Sequence, residues 1–249
     1  MVAAAVTGTL WVGCGGSEDV KQPVSVTFSD MSWDSVRVHN RIAAFILEEG
    51  YGDYTVDFTQ GSTVAMVQGL RQDDKDVILE SWHTNYPEIW EEATEAGDIV
   101  DLGPNYPEAP QGWYVPTYVI EGNAERDAAL KASMESAYRR GDPWLGYHWE
   151  PTWILGKLDM TSIEGVGLPS GLVHKIVARD LPDRAPEAVA FLRRYQTSLE
   201  QNNEFLAQVQ DNEWSYEEAA EWFLKNHEEI WTRWVPDEVA ENVRDALSR

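Results

Sequence analysis

The sequence predicts an α/β protein built on a largely parallel sheet, and three observations carry that expectation. From Val24 to the helix opened by Pro87, strand-like runs alternate with helix-period segments; one more extended run returns at Leu172–Ala178; the remainder reads as helix. In order, Val24-Ser25-Val26-Thr27-Phe28 alternates like a strand. Trp33 to Glu49 reads as a helix with Val36, Ile42, Ala43, Ile46 and Leu47 on its apolar side and Gly50 to end it. Thr55–Phe58 is a second strand, and Ser62 caps a helix running to about Arg71. Asp76–Trp82 is the third strand, and Pro87 opens the next helix at the position proline favours. Ligands of such sheets bind beyond the carboxyl ends of the strands. Trp33, after the first strand, and Trp82, closing the third, therefore fall on one rim.

Gly112–Ile120 is extended, and Pro116 limits it to an edge or a crossing between lobes. Ala124–Arg140 reads as a helix terminated by Gly141. Gly141–Asp159 then carries Trp144, Tyr147, Trp149 and Trp153, more rings than one small core layer needs, so some of them should face a ligand. Ring faces are negative, and several around a pocket attract a cation that hydrogen bonds cannot grip, above all a quaternary ammonium. A Gly-rich passage, Gly165–Gly171, leads into the strand Leu172–Ala178. Helices follow at Ala185–Tyr195, Ser198–Gln210, Ser215–Asn226 and Pro236–Leu247, with Ser215 and Glu218 in a capping-box pattern. Trp222, Trp231 and Trp234 on these helices are assigned to the core.

At 249 residues the chain holds one large domain or two lobes. Its net charge of -24 argues against nucleic acid or anionic lipid bound through a basic face. Cys14 is the only cysteine, which excludes a disulfide framework and a thiolate zinc cluster. The apolar run Val2–Val12 is too short to span a bilayer. With the Gly13-Cys14 step it resembles a lipoprotein signal, which implies lipidation at Cys14 and an extracytoplasmic, anchored protein. None of His39, His83, His148, His174 and His227 forms an HExxH pair, and no GxSxG elbow or GxxxxGK[ST] loop occurs. No catalytic residue, metal or cofactor is expected. A rival reading is a carbohydrate-binding or glycosidase-like protein, in which Glu80 and Glu150 would be paired carboxylates in a Trp-lined cleft.

Trp33, Glu80-Ser81-Trp82, Gly112–Gly122, Trp149-Glu150-Pro151 and the closing helices carry a resemblance to the substrate-binding proteins of ABC importers for glycine betaine, choline and related amines. That resemblance implies a two-lobed periplasmic-binding-protein fold of type II, with mixed sheets flanked by helices. It implies a cage of Trp33, Trp82, Tyr114 and Trp149 around a small quaternary amine, and a membrane permease as partner of a monomeric receptor. Ser35 stands where choline-type members carry Asp, while Asp34 is one residue early, so choline and betaine both stay open. His83, or backbone amides near Trp33 or Ser62, would serve a betaine carboxylate. The implied division is 1–22 signal and linker, 23–118 first lobe, 119–171 a reduced second lobe and 172–249 the return to the first. A second lobe that small is expected to lean on the first, with a more open cleft and weaker binding than in full-length members.

Overall fold

The computed structural model describes residues 22–120, 134–167 and 170–249. Cys14 and most of the expected Ala124–Arg140 helix lie outside these residues. The chain runs β1 (Val24–Asp30), α1 (Asp34–Phe45), β2 (Tyr54–Gln60), α2 (Thr63–Arg71), β3 (Val77–Ser81), α3 (Pro87–Glu95), β4 (Ile99–Ala109) and β5 (Gln111–Pro116). It continues with α4 (Thr117–Ile120), α5 (Met134–Arg140), β6 (Gly146–Trp149), α6 (Trp153–Lys157), β7 (Met160–Gly167) and β8 (Gly171–Ala178). It closes with α7 (Leu181–Arg184), α8 (Pro186–Arg194), α9 (Leu199–Asn212), α10 (Tyr216–Asn226), α11 (Glu228–Trp231) and α12 (Asp237–Leu247).

The larger sheet has the order β2-β1-β3-β8-β4 and is mixed rather than largely parallel. β1 runs parallel to β2 and β3, whereas β8 runs antiparallel to β3 and β4. The cause is connectivity: β4 leads the chain out to a second sheet and β8 brings it back, so the two lie side by side in opposite directions. Periodicity hid β4, which contains Gly103, Pro104 and Pro107 and shifts register against β8 at several points. The second sheet has the order β6-β5-β7. Its central strand is β5, so of the two expectations for Pro116, an edge or a crossing between lobes, the edge does not hold. That proline is the last residue of the strand, opposite Met160, where its missing N–H interrupts no inner ladder.

Gly50 does not end the first helix. Past Phe45 the chain widens into a π-turn, Ile46–Tyr51, and stops at Gly52 with φ 75°. Gly50 instead admits α12: a Cβ there would stand 2.8 Å from Val243 and 2.9 Å from Val239. The main core lies between the larger sheet and the closing helices, where Phe28, Leu79, Phe191, Phe205, Phe223 and Trp231 are fully buried. Trp234 is buried beside them, while Trp222 only packs against the cluster's outside. Both capping boxes, Ser198 with Gln201 and Ser215 with Glu218, are closed. The second sheet is tied to this body through α6 and α9. Ile154 of α6 is buried, Trp153 packs on the main core, and the Thr152 amide donates to Asn203 Oδ1 at 2.8 Å.

Candidate functional site

Parallel pairing of β1 with β3 brings their carboxyl ends to one edge of the larger sheet, so the chain leaves toward the same side at Trp33 and at Trp82. The second sheet faces that edge. Register pairs Gln111 with Trp149 and Trp113 with Tyr147, which places these side chains on one face. Between the two sheets lies a cleft of about 390 Å³ walled by Trp33, Trp82, Tyr147 and Trp149. Thr63, Val64, Asn85, Tyr86 and Gln111 complete its lining, and none of the lining residues is charged. The Tyr147 hydroxyl donates to Gln111 Oε1 at 2.9 Å, and Gln111 Nε2 donates to Asn85 Oδ1 at 3.3 Å, so a polar chain links the two sheets. Tyr86 bonds Ser81 through its hydroxyl, and burial pushes its pKa up to about 12, keeping it neutral. A second hollow of about 520 Å³ adjoins the first, with Trp33 and Trp149 common to both. Its walls are more polar and include Ser32, Asp34, Ser35, His148 and Thr152.

Behind the cleft lies Glu80, fully buried on β3. Its Oε2 accepts from Trp33 Nε1 at 2.6 Å, from Ser35 Oγ at 3.1 Å and from Trp82 Nε1 at 3.4 Å. Burial pushes the carboxyl up to about 7 although these donors oppose the rise. His39 Nε2 stands 3.4 Å from the other oxygen, and its Nδ1 lies 2.7 Å from the Tyr195 hydroxyl. Burial, helped by the charge of Lys175, pulls the imidazole down to about 3, so His39 is neutral here and no ion pair forms.

The fold thus unites Trp33, Trp82 and Trp149 in one cleft, places Asp34 with Trp33 and Trp149 in the adjoining hollow, and leaves Tyr114 and His83 out of both. Tyr114, 3% exposed, does not line the cleft; its hydroxyl donates to Glu150 Oε1 at 3.4 Å, and Asn203 Nδ2 donates to Glu150 Oε2 at 3.2 Å. Tyr114 points to the opposite face of β5 from Gln111 and Trp113, and Tyr147 is the tyrosine on the cleft side. His83 does not line it either; its ring stacks on Trp90 at 4.3 Å and meets His174 at 4.6 Å. Asp34 lies in the adjoining hollow, where it accepts from the Tyr216 hydroxyl at 2.8 Å. Sequence reasoning did not place Gln111 and Tyr86 at the site, and it named Tyr147 only as one of four rings of which some should face a ligand, not as a member of the cage. Only Tyr147 had a readable signal, its two-residue spacing from Trp149 on one strand.

Residues 24–126 and 122–226 match the family described as the substrate binding domain of ABC-type glycine betaine transport systems. The chain belongs to that family. Members of this binding-protein family are solute receptors of importers, which act outside the cytoplasmic membrane and are not enzymes. Among the described residues no helix is long and apolar enough to cross a membrane. Solved structures share the fold at low identity. A choline-binding protein of an ABC transporter, in complex with choline, superposes with TM-score 0.71 at 18% identity, over 90% of this chain and 98% of that one. The glycine betaine/L-proline-binding protein of Borrelia burgdorferi gives 0.70 at 18% identity, over 88% and 99%. Lactococcal OpuAC, closed on glycine betaine, gives 0.68 at 17% identity, over 85% and 99%. These are type II periplasmic binding proteins, and the mixed five-stranded sheet and antiparallel three-stranded sheet of this binding protein follow the same plan. No curated protein matches it by sequence. The glycosidase-like alternative fails on geometry as well, since Glu80 lies behind two indoles and lines neither hollow.

Proposed function

We propose that this binding protein captures a quaternary ammonium compound, glycine betaine or choline, in a cage of Trp33, Trp82, Tyr147 and Trp149, and delivers it as a monomer to a membrane permease. The observation that carries the reading is four rings walling one cleft whose lining bears no charge. A trimethylammonium group has no N–H to donate, so ring faces and methyl burial are the contacts left to it. One desolvated cation–π contact contributes about 2 kcal/mol, against roughly 8 kcal/mol for micromolar affinity, so several rings must act together. The adjoining hollow suits the ligand's polar end, with Ser35 and Asp34 to meet a hydroxyl and Ser32, His148 and Thr152 to meet a carboxylate. Lipidation of Cys14 would keep the receptor beside its permease.

Tryptophan fluorescence titrated with choline, glycine betaine and a neutral oligosaccharide tests the reading. Saturable change with one or both amines at micromolar to millimolar concentration is expected. A response to the sugar alone, or to none of the three, would defeat it.

A further inference from the structure

We infer that Glu80 is the buried counter-charge and positioning residue of the cage: its carboxylate holds the Trp33 and Trp82 indoles by their N–H edges and supplies the negative charge that a cation between those rings lacks at the cleft surface. The inference rests on the quaternary-amine reading above. Three facts support it. One carboxylate oxygen receives both indole N–H groups and the Ser35 hydroxyl, so two walls of the cleft take their orientation from a single atom. A carboxylate accepting an indole N–H also pushes electron density into the ring, which strengthens its pull on a cation.

The second fact is that, among the described residues, no lysine or arginine bonds this carboxylate. The titratable groups facing it are His39 from α1, Tyr106 from β4 and Tyr195 beyond α8. Lys175 of β8 acts on His39 and spends its ammonium on the carbonyls of Pro104 and Tyr195. His39 and both tyrosines are neutral, so no positive group among them balances Glu80. A buried charge without a partner is costly, and proteins keep one where it works on a ligand. The third fact is placement: no charged residue lines the cleft itself, Asp34 stands in the adjoining hollow, and Glu80 lies directly behind the Trp33 and Trp82 indoles that wall the cleft.

A proton-linked affinity follows. With its pKa near 7 in the empty protein, Glu80 is largely protonated below that pH, and a cation entering the cage favours the ionised form. Binding therefore releases a proton at acid pH and tightens as pH rises through 7. Calorimetry of the full chain with choline, in two buffers of different ionisation heat at about pH 6 and pH 8.5, reads this directly. Wild-type protein is expected to release protons only at the lower pH and to bind about tenfold tighter at the higher. Glu80→Gln is expected to lose both effects and, at pH 8.5, about tenfold in choline affinity. Binding of the neutral isostere 3,3-dimethylbutan-1-ol should be far less affected.

Equal losses for choline and the isostere would overturn the counter-charge, leaving Glu80 a packing residue. So would wild-type binding without proton release, a result that needs no variant to fold. Normal wild-type binding left unaltered by Glu80→Gln overturns the inference alone. Failure of wild-type protein to bind any quaternary amine would overturn the functional reading and this inference with it.

Discussion

Two indoles of the same chemistry do opposite jobs here, and truncating each separates them. Trp149 is 38% exposed at the cleft wall, whereas Trp231 is fully buried and donates its N–H to the Leu224 carbonyl at 2.7 Å. Trp149→Ala is expected to weaken amine binding by about 1 to 2 kcal/mol with little change in stability. Trp231→Ala is expected to lower unfolding stability by about 3 to 5 kcal/mol through the cavity it leaves. Calorimetric titration and denaturant unfolding on both variants check the pair, and coincident effects would show that the two rings are not distinct. At this scale the sequence was informative where a residue stands at a strand's carboxyl end, as Trp33 and Trp82 do. It does not settle on which side of β5 Tyr114 lies, because the face a side chain occupies depends on pairing with β6, a partner more than thirty positions away.

Secondary-structure elements place the rings by close approach as much as by direction. Gly171, the first residue of β8, pairs with Ala109 and lies under Trp82; a Cβ there would come within 2.8 Å of the indole's Cε3. Gly171→Ala is therefore expected to displace Trp82 into the cleft and weaken amine binding several-fold. Measured affinity and near-ultraviolet dichroism of the variant check this, and wild-type affinity would show that β8 does not limit the cage. Elements with local signals were legible from sequence: the Ser62 cap, Pro87 at a helix start and the Ser215 box all appear as expected. The π-turn after α1 and the irregular strand β4 were not, since both are stabilised by distant neighbours rather than by their own residues.

The whole molecule carries a cost for the buried network, and pH exposes it. Glu80 rises from 4.5 to about 7 on folding, so the stability it contributes is full below pH 4.5 and lost as pH climbs through 7, a change of ~3 kcal/mol. His39 falls from 6.5 to about 3, so its contribution is full above pH 6.5 and lost as pH drops through 3. Between about pH 4.5 and 6.5 the two slopes oppose, and the unliganded wild-type protein should show a flat stability profile there. Glu80→Gln removes the falling slope, so its stability should gain on wild type by ~3 kcal/mol between pH 4.5 and 8. Urea unfolding of both proteins across that range measures the difference; a constant gap would mean that Glu80 does not titrate. The same substitution is thus expected to stabilise the fold at alkaline pH and to weaken binding.

Composition, strand–helix alternation and capping signals determined the fold class, and the aromatic stretch with its neighbouring motifs pointed to a cation receptor. Those properties are local: periodicity, turn chemistry and residue type act within a few positions of chain. Tertiary structure alone decided that β8 returns antiparallel, that Tyr147 rather than Tyr114 faces the cleft, and that Glu80 gathers two cleft-wall indoles from positions 33 and 82. Strand register, burial and the loss of solvent that shifts a carboxyl's pKa arise between segments distant in sequence, so they have no signature until those segments meet.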